Sequence, residues 1–270
     1  MTDAAPDIPR RSRAFRIGPR VTWGAGALIV FAIVWELAFA AGLLNPRFVA
    51  PPSAAASAGW ELISSGEFWG HAWTSLIELF WGSIVGIAVG VSLGFAMAQW
   101  RTVDSALSPT VWAIYSVPRT AFVPMLLVWF GIGLASKSAF VFLGMVFPMI
   151  ANTYLGVRET DPYAIRSARS FAASRLETMR EVIFPSAFPY LIDGLRLGAG
   201  RGIVGVIIAE LYVSTNGVGY LLRLAGLGFQ TAQLIFLTLF VAACGIFVSQ
   251  FLIWLDHRIA GWRQADTATQ

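Results

Sequence analysis

Six times along its length the chain runs mostly apolar for the distance a helix needs to cross a lipid bilayer, about 20 residues at 1.5 Å each. The stretches lie at about 22–44, 73–99, 108–131, 136–156, 190–213 and 233–256. Backbone in lipid must satisfy its own hydrogen bonds, so each stretch is expected to be a helix. The fold class that follows is an all-α integral membrane protein with six transmembrane helices. Only 13% of residues are charged, against about 25% in an ordinary soluble domain. Pro118, Arg119 and Pro124 interrupt the third stretch. Proline removes backbone hydrogen bonds, which is tolerated at membrane depth where neighbours or a cavity take them up. Ala38-Phe39-Ala40 imitates a signal-peptide cleavage site. Signal h-regions, however, are about 7–15 residues long. The run from Val21 to Leu44 is longer, and it reads as an uncleaved first span.

Arginine and lysine favour the cytoplasmic side of a membrane. With the N-terminus inside, the inner segments hold thirteen basic residues: Arg10, Arg11, Arg13, Arg16, Arg20, Arg101, Arg158, Arg166, Arg169, Arg175, Arg180, Arg258 and Arg263. The outer loops hold three, Arg47, Lys137 and Arg223. Both termini are therefore expected in the cytoplasm. The expected organisation is a basic tail at 1–21, a membrane domain at 22–256 and a second tail at 257–270. The formal charge of +4 is read as topology, not as a nucleic-acid surface. Cys244 is the only cysteine, so no disulfide forms within the chain.

Gly82, Gly86, Gly90 and Gly94 stand at four-residue spacing in the second span, and Gly194, Gly198 and Gly202 repeat the pattern in the fifth. Small residues at this spacing let helix backbones approach closely in lipid, so both stripes are read as packing seams.

Residues 157–190 form a polar island on the cytoplasmic side. Asp161-Pro162 starts a helix, the Asp as cap and the Pro in the first turn. Ala164, Ile165, Ala168, Phe171 and Ala172 share one face; Arg166, Ser167, Arg169 and Ser170 share the other. Ser174-Arg175-Leu176-Glu177 has the S-x-x-E spacing of a capping box and opens a second helix, with Leu176, Met179, Val182 and Ile183 as its apolar stripe. Periodicity alone leaves two readings: a pair of interfacial helices on anionic lipid, or a docking surface.

The island resembles the EAA loop of binding-protein-dependent ABC importer permeases. That pattern is EAA, three residues, Gly, nine residues, then I-x-L-P. Here EAA falls on Arg166, Ser167 and Ala168, Gly on Ala172, and I-x-L-P on Val182, Ile183, Phe184 and Pro185. The likeness to the nitrate, sulfonate and taurine branch extends over ARSFAASRLETMREVIFPSAFPYLIDGLRLGAG and the upstream SVPRTAFVPMLLVWFGIGLASKSAFVFLGMVFPMIANTYLGVR, and covers roughly residues 50–256. The resemblance implies a type I ABC importer permease fold in a bacterial inner membrane, with the island as a cytoplasmic two-helix EAA coupling loop between spans four and five. It implies ATPase coupling through Arg166, Ser167, Ala168, Ala172, Ala173 and Pro185. It implies a homodimer, two cytoplasmic ATPase subunits that bind ATP and Mg, and an extracytoplasmic solute-binding protein meeting an outer face rich in Trp60, Trp69 and Trp73. The cargo class it implies is a small anion such as nitrate, taurine or an alkanesulfonate. The chain itself binds no cofactor and catalyses nothing under this reading.

Charges inside spans are costly and often mark pathways. Glu36, Glu78, Arg119, Arg196, Arg201 and Glu210 are of this kind. Arg196 lies close enough to the interface to snorkel. Arg201 and Glu210 are half a turn out of phase and cannot pair within one helix. Arg119, Arg201 and Glu210 are the pathway candidates; interhelical salt bridges are the plainer explanation. Two apparent motifs carry no chemistry. Gly131 to Ser138 nearly spells a P-loop, but its second Gly is Ser136 and no strand precedes it. Gly90-Val91-Ser92-Leu93-Gly94 spells GxSxG, but lies in the glycine stripe without a strand–turn–helix context. No Cys/His cluster or HExxH offers a metal site. A gradient-driven transporter or channel is the first alternative function, and a membrane-embedded enzyme the second.

Overall fold

The computed structural model describes residues 19–259. The basic tail with Arg10, Arg11, Arg13 and Arg16, and the chain end with Arg263, lie outside them. Among the described residues the chain contains helices and no strand.

Helix α1 (Pro19–Ala40) leaves Trp23, Leu28, Phe31 and Leu37 exposed. Glu36 ties it to α2 (Pro52–Ser64), where its carboxylate accepts the Ser53 N–H at 3.1 Å and hydroxyl at 2.6 Å. Helix α3 runs Glu67–Gln99 and α4 Arg101–Ser116. A 3-10 turn, Arg119–Phe122, leads to α5 (Val123–Phe130), and α6 covers Leu134–Arg158. After α7 (Pro162–Ser170) come α8 (Arg175–Thr178), a π-helical turn over Met179–Ile183, and α9 (Phe184–Val213). Helix α10 (Val218–Leu227) and α11 (Thr231–Ile259) complete the described chain.

Helix α6 is the axis of the fold, with α3 and α9 packed along it. The glycine spacing explains how. A Cβ on Gly86 would meet the Met145 side chain at 2.7 Å, and one on Gly94 would meet the Ile150 carbonyl at 2.6 Å. From α9, a Cβ on Gly194 would come within 3.2 Å of the Pro148 carbonyl, and Gly198 abuts the Met145 side chain. Both stripes therefore face α6 within this chain. At one end Asp104 of α4 joins Tyr154 (3.1 Å) and Arg158 (3.2 Å) of α6. At the other, Leu62, Phe68, Val218, Leu221, Leu222 and Leu237 form a core among α2, α3, α10 and α11.

Helices α3, α6 and α11 are each long and apolar enough to cross a membrane. The third apolar stretch is not one rod: α4 and α5 are bent by 95°. Val117, preceding Pro118, is held extended at φ −74° and ψ 136°, as the proline ring demands. If the bent pair is one broken span, the number of spans rises to four. Helix α9 is 30 residues long but carries Asp193, Arg196, Arg201 and Glu210. The first apolar stretch ends as a helix at Ala40, before a turn at Gly42 with φ +75°.

Candidate functional sites

The α7–α8 bend is built by local chemistry. Asp161 caps α7, its carboxylate accepting the Tyr163 N–H at 2.8 Å. At the far end Ala172 takes φ +59°. The Ala173 N–H reaches the Ala168 carbonyl at 3.1 Å and the Ala172 N–H the Arg169 carbonyl at 3.0 Å. This is a Schellman termination, which places a left-handed residue at Ala172. Glycine adopts that conformation freely and alanine does not, so the backbone accounts for the small residue without any partner. Ser174 then opens α8 with the expected capping box, its N–H donating to Glu177 at 2.7 Å and its hydroxyl accepting the Glu177 N–H at 3.2 Å. Hydrogen bonding to the carboxylate from Ser174, its backbone N–H first and its side chain next, holds the Glu177 carboxyl below the ordinary carboxylate value.

Ala164, Ile165 and Ala168 turn inward and are half-buried, while Arg166, Ser167, Arg169 and Ser170 are exposed. The Arg166 guanidinium folds back over the Tyr163 ring, 4.6 Å from its centroid, and donates to the Pro162 carbonyl at 3.2 Å. Tyr163, Phe171 and Leu176 are left exposed, Phe171 at 87%. The second helix is not a separate piece. It continues through the π turn into α9, where the Phe184 N–H bonds to the Met179 carbonyl. Pro185, lacking an N–H, sits in the first turn of α9.

At the opposite end of α6 a buried polar network joins four helices. Lys137 is not in an open loop; it lies in the first turn of α6, ion-paired with Glu78 of α3 and donating to Ser214 at 2.9 Å. Ser75 of α3 donates to Glu210 of α9 at 2.6 Å and accepts the Val218 N–H at 2.9 Å. Glu210 also accepts the Gly219 N–H at 2.7 Å, so it caps α10. His71 accepts the Gly217 N–H at 3.0 Å. Gly217 has φ +108°, and a Cβ there would strike the Glu210 carboxylate. A cleft of about 290 Å³ opens beside this network, lined by Thr74, Glu78, Lys137, Ser214 and Asn216 among others. Sequence reasoning singled out Glu78 and Glu210 as charges in apolar surroundings. Ser75, His71 and Ser214 carried no such signal.

The three pathway candidates do not share one place. Glu210 belongs to the network just described. Arg119, at the start of the 3-10 turn, and Arg201, midway along α9, meet at Gly144 of α6. Arg119 Nη1 lies 2.8 Å, and the Arg201 carbonyl oxygen 3.0 Å, from where a Gly144 Cβ would be. The Arg201 guanidinium covers the Tyr115 ring at 5.2 Å and donates to its hydroxyl at 2.6 Å. Arg119 Nη1 is buried and makes no hydrogen bond.

Residues 82–261 match the family described as binding-protein-dependent transport system inner membrane component. The chain is 29% identical to the taurine transport system permease protein TauC of Escherichia coli (strain K12), covering 90% of each chain. It is 32% identical to the putative aliphatic sulfonates transport permease protein SsuC of the same organism, over 70% of this chain and 72% of the relative. Among solved structures, its fold is similar to an inward-facing MetNI methionine ABC transporter, at TM-score 0.57 and 18% identity. That match covers 74% of this chain and 96% of the other. An amino acid ABC transporter matches at TM-score 0.58 and 15% identity, covering 73% and 96%.

Proposed function

The chain belongs to the binding-protein-dependent transport system inner membrane components, and from that premise we propose that it is the permease subunit of an ATP-driven importer of a small organic or inorganic anion. The observation that carries this reading is the relationship to a taurine permease over 90% of both chains. Relatives named for taurine and aliphatic sulfonates support a sulfonate-type cargo. They also favour this reading over a gradient-driven transporter.

In the proposed arrangement α1 and α9 span the membrane beside α3, α6, α11 and the bent α4–α5 pair, giving six spans with both termini cytoplasmic. Two copies pair around the pathway. A solute-binding protein delivers cargo to the face carrying Trp60, Trp69 and Trp73, all exposed. Two ATPase subunits, which hold ATP and Mg, dock on the α7–α8 bend through Arg166, Ser167, Ala168, Ala172 and Ala173. Pro185 starts the helix that carries the movement inward. The exposed Tyr163, Phe171 and Leu176 supply apolar surface for that contact.

The test is reconstitution in liposomes with the ATPase and the binding protein. Uptake of taurine or a short alkanesulfonate should require ATP and should fail when Ala172→Trp blocks the bend. Uptake by this chain alone, without ATP, would overturn the reading. So would unchanged transport and unchanged transport-coupled hydrolysis in the Ala172→Trp protein.

A further inference from the structure

Arg119 and Arg201 meet at a depth where a bare cation is unfavourable. Gly144 is ten residues into the 25-residue α6, and Arg201 seventeen into the 30-residue α9. At 1.5 Å per residue both sites are about 15–25 Å from their helix ends, too deep for an arginine to reach the interface. Among the described residues no carboxylate pairs with either arginine. Glu210, the acid nearest Arg201 toward the end of α9, is committed to Ser75 and Gly219. Arg119 Nη1 and the Arg201 backbone carbonyl both border Gly144, and the Arg201 guanidinium lies on Tyr115.

The backbone around Arg119 is equally unusual. Val117, Pro118, Thr120 and Ala121 are irregular or 3-10 in conformation and exposed. Non-helical backbone at membrane depth persists where protein covers it or where it lines a wet cavity. Unpaired arginines beside it favour the cavity, because lipid solvates neither group.

We propose that Arg119, Arg201 and Tyr115 form an oxyanion station along the transport pathway, where a sulfonate or similar multi-oxygen anion is held between the two guanidinium groups. This extends the transport reading above and rests on it. The donors suit such a head group. Each guanidinium offers a planar fork of N–H groups that pairs with two oxygens at once. The Tyr115 oxygen accepts from Arg201, which leaves its own hydroxyl proton to donate to a third oxygen. An anion held by the two arginines supplies the counter-charge that no carboxylate among the described residues supplies. Gly144 is the residue that admits Arg119: any side chain there takes the space of the guanidinium.

The experiment measures ATP-driven ethanesulfonate uptake into liposomes holding the permease, its ATPase and the binding protein. Arg119→Gln and Arg201→Gln should each lower uptake by about tenfold to a hundredfold, the range for losing charge-assisted hydrogen bonds. Arg201→Lys should restore part of it. Arg196→Gln, whose parent residue pairs with Asp193 at 2.9 Å on an exposed face, should transport normally. Full uptake by both glutamine variants overturns the station while leaving the permease reading intact. A wild-type complex that moves no anion overturns both. Should the variants fail to fold, the wild-type chain decides. Ethanesulfonate should change its tryptophan emission, Trp112 being 6.1 Å from Tyr115, and choline chloride at equal ionic strength should not. Equal responses overturn the station.

Discussion

Lys137 of α6 and Glu78 of α3 form an ion pair whose side chains are 9% and 1% exposed. Such a pair is weak evidence of stability in itself, but removing one partner strands the other. Lys137→Met should lower stability by about 3–5 kcal/mol. Adding Glu78→Leu should recover most of the loss, because two apolar groups need no partner. Thermal unfolding of the detergent-solubilised chain reads both. Equal melting points for the single and double variants would remove the stranded-charge account.

The seam between α3 and α6 tolerates no side chain. Gly90→Val would press on Met149 and on the Val146 carbonyl, 2.9 Å from a Cβ there. Overpacking of this kind should cost about 1–3 kcal/mol. Gly245→Val on α11, where nothing lies within 4 Å, is the control and should cost less. Unfolding midpoints that fall equally in the two variants would contradict the seam.

Ala172 is held left-handed, so Ala172→Gly should stabilise the end of α7 by about 1 kcal/mol. Ala172→Val should do the reverse. Hydrogen exchange of the Phe171, Ala172 and Ala173 amides is the measurement, and slower exchange in the valine protein would refute the assignment.

The α8 cap should respond to acid. Glu177 titrates below its ordinary value of 4.5 when folded, held there by Ser174. Its stabilising effect is fully present above pH 4.5 and is lost as the pH falls through the lower folded value. Amide protection over Ser174–Thr178 should therefore be flat near neutrality and decline in acid. Glu177→Gln keeps an acceptor that does not titrate, and its profile should stay level.

Local chemistry was the legible part of this chain. Asp161 and the Ser174–Glu177 box act within four residues, and the structure places both caps where their spacing puts them. Apolar length located α3, α6 and α11, because lipid leaves a helix little alternative. Helices α2 and α10 escaped that reading: at 13 and 10 residues they are below span length. The glycine spacing announced a close approach without naming its partner, which proved to be α6 for both stripes. Lys137 looked like a loop residue because nothing near it in sequence shows Glu78. Arg119 and Arg201 were each visible as misplaced charges. Their meeting at Gly144 depends on the 95° bend, which the prolines mark but do not aim.

Two glycine stripes packed on one helix, both meeting Val141, Met145 and Met149, have a mechanical consequence. With few side chains between them, α3, α6 and α9 have little room to slide or roll against one another. They behave as a stiff plate, and the α7–α8 bend is fastened to two of its members, at the end of α6 and the start of α9. A push on the bend then tilts the plate as a unit instead of bending it. In the proposed complex with its ATPase, spin labels at Phe80 and Val204, both exposed on the plate, should keep their separation when ATP is added. Displacement then falls to the joints at its rim, where α1 and the bent α4–α5 pair hang.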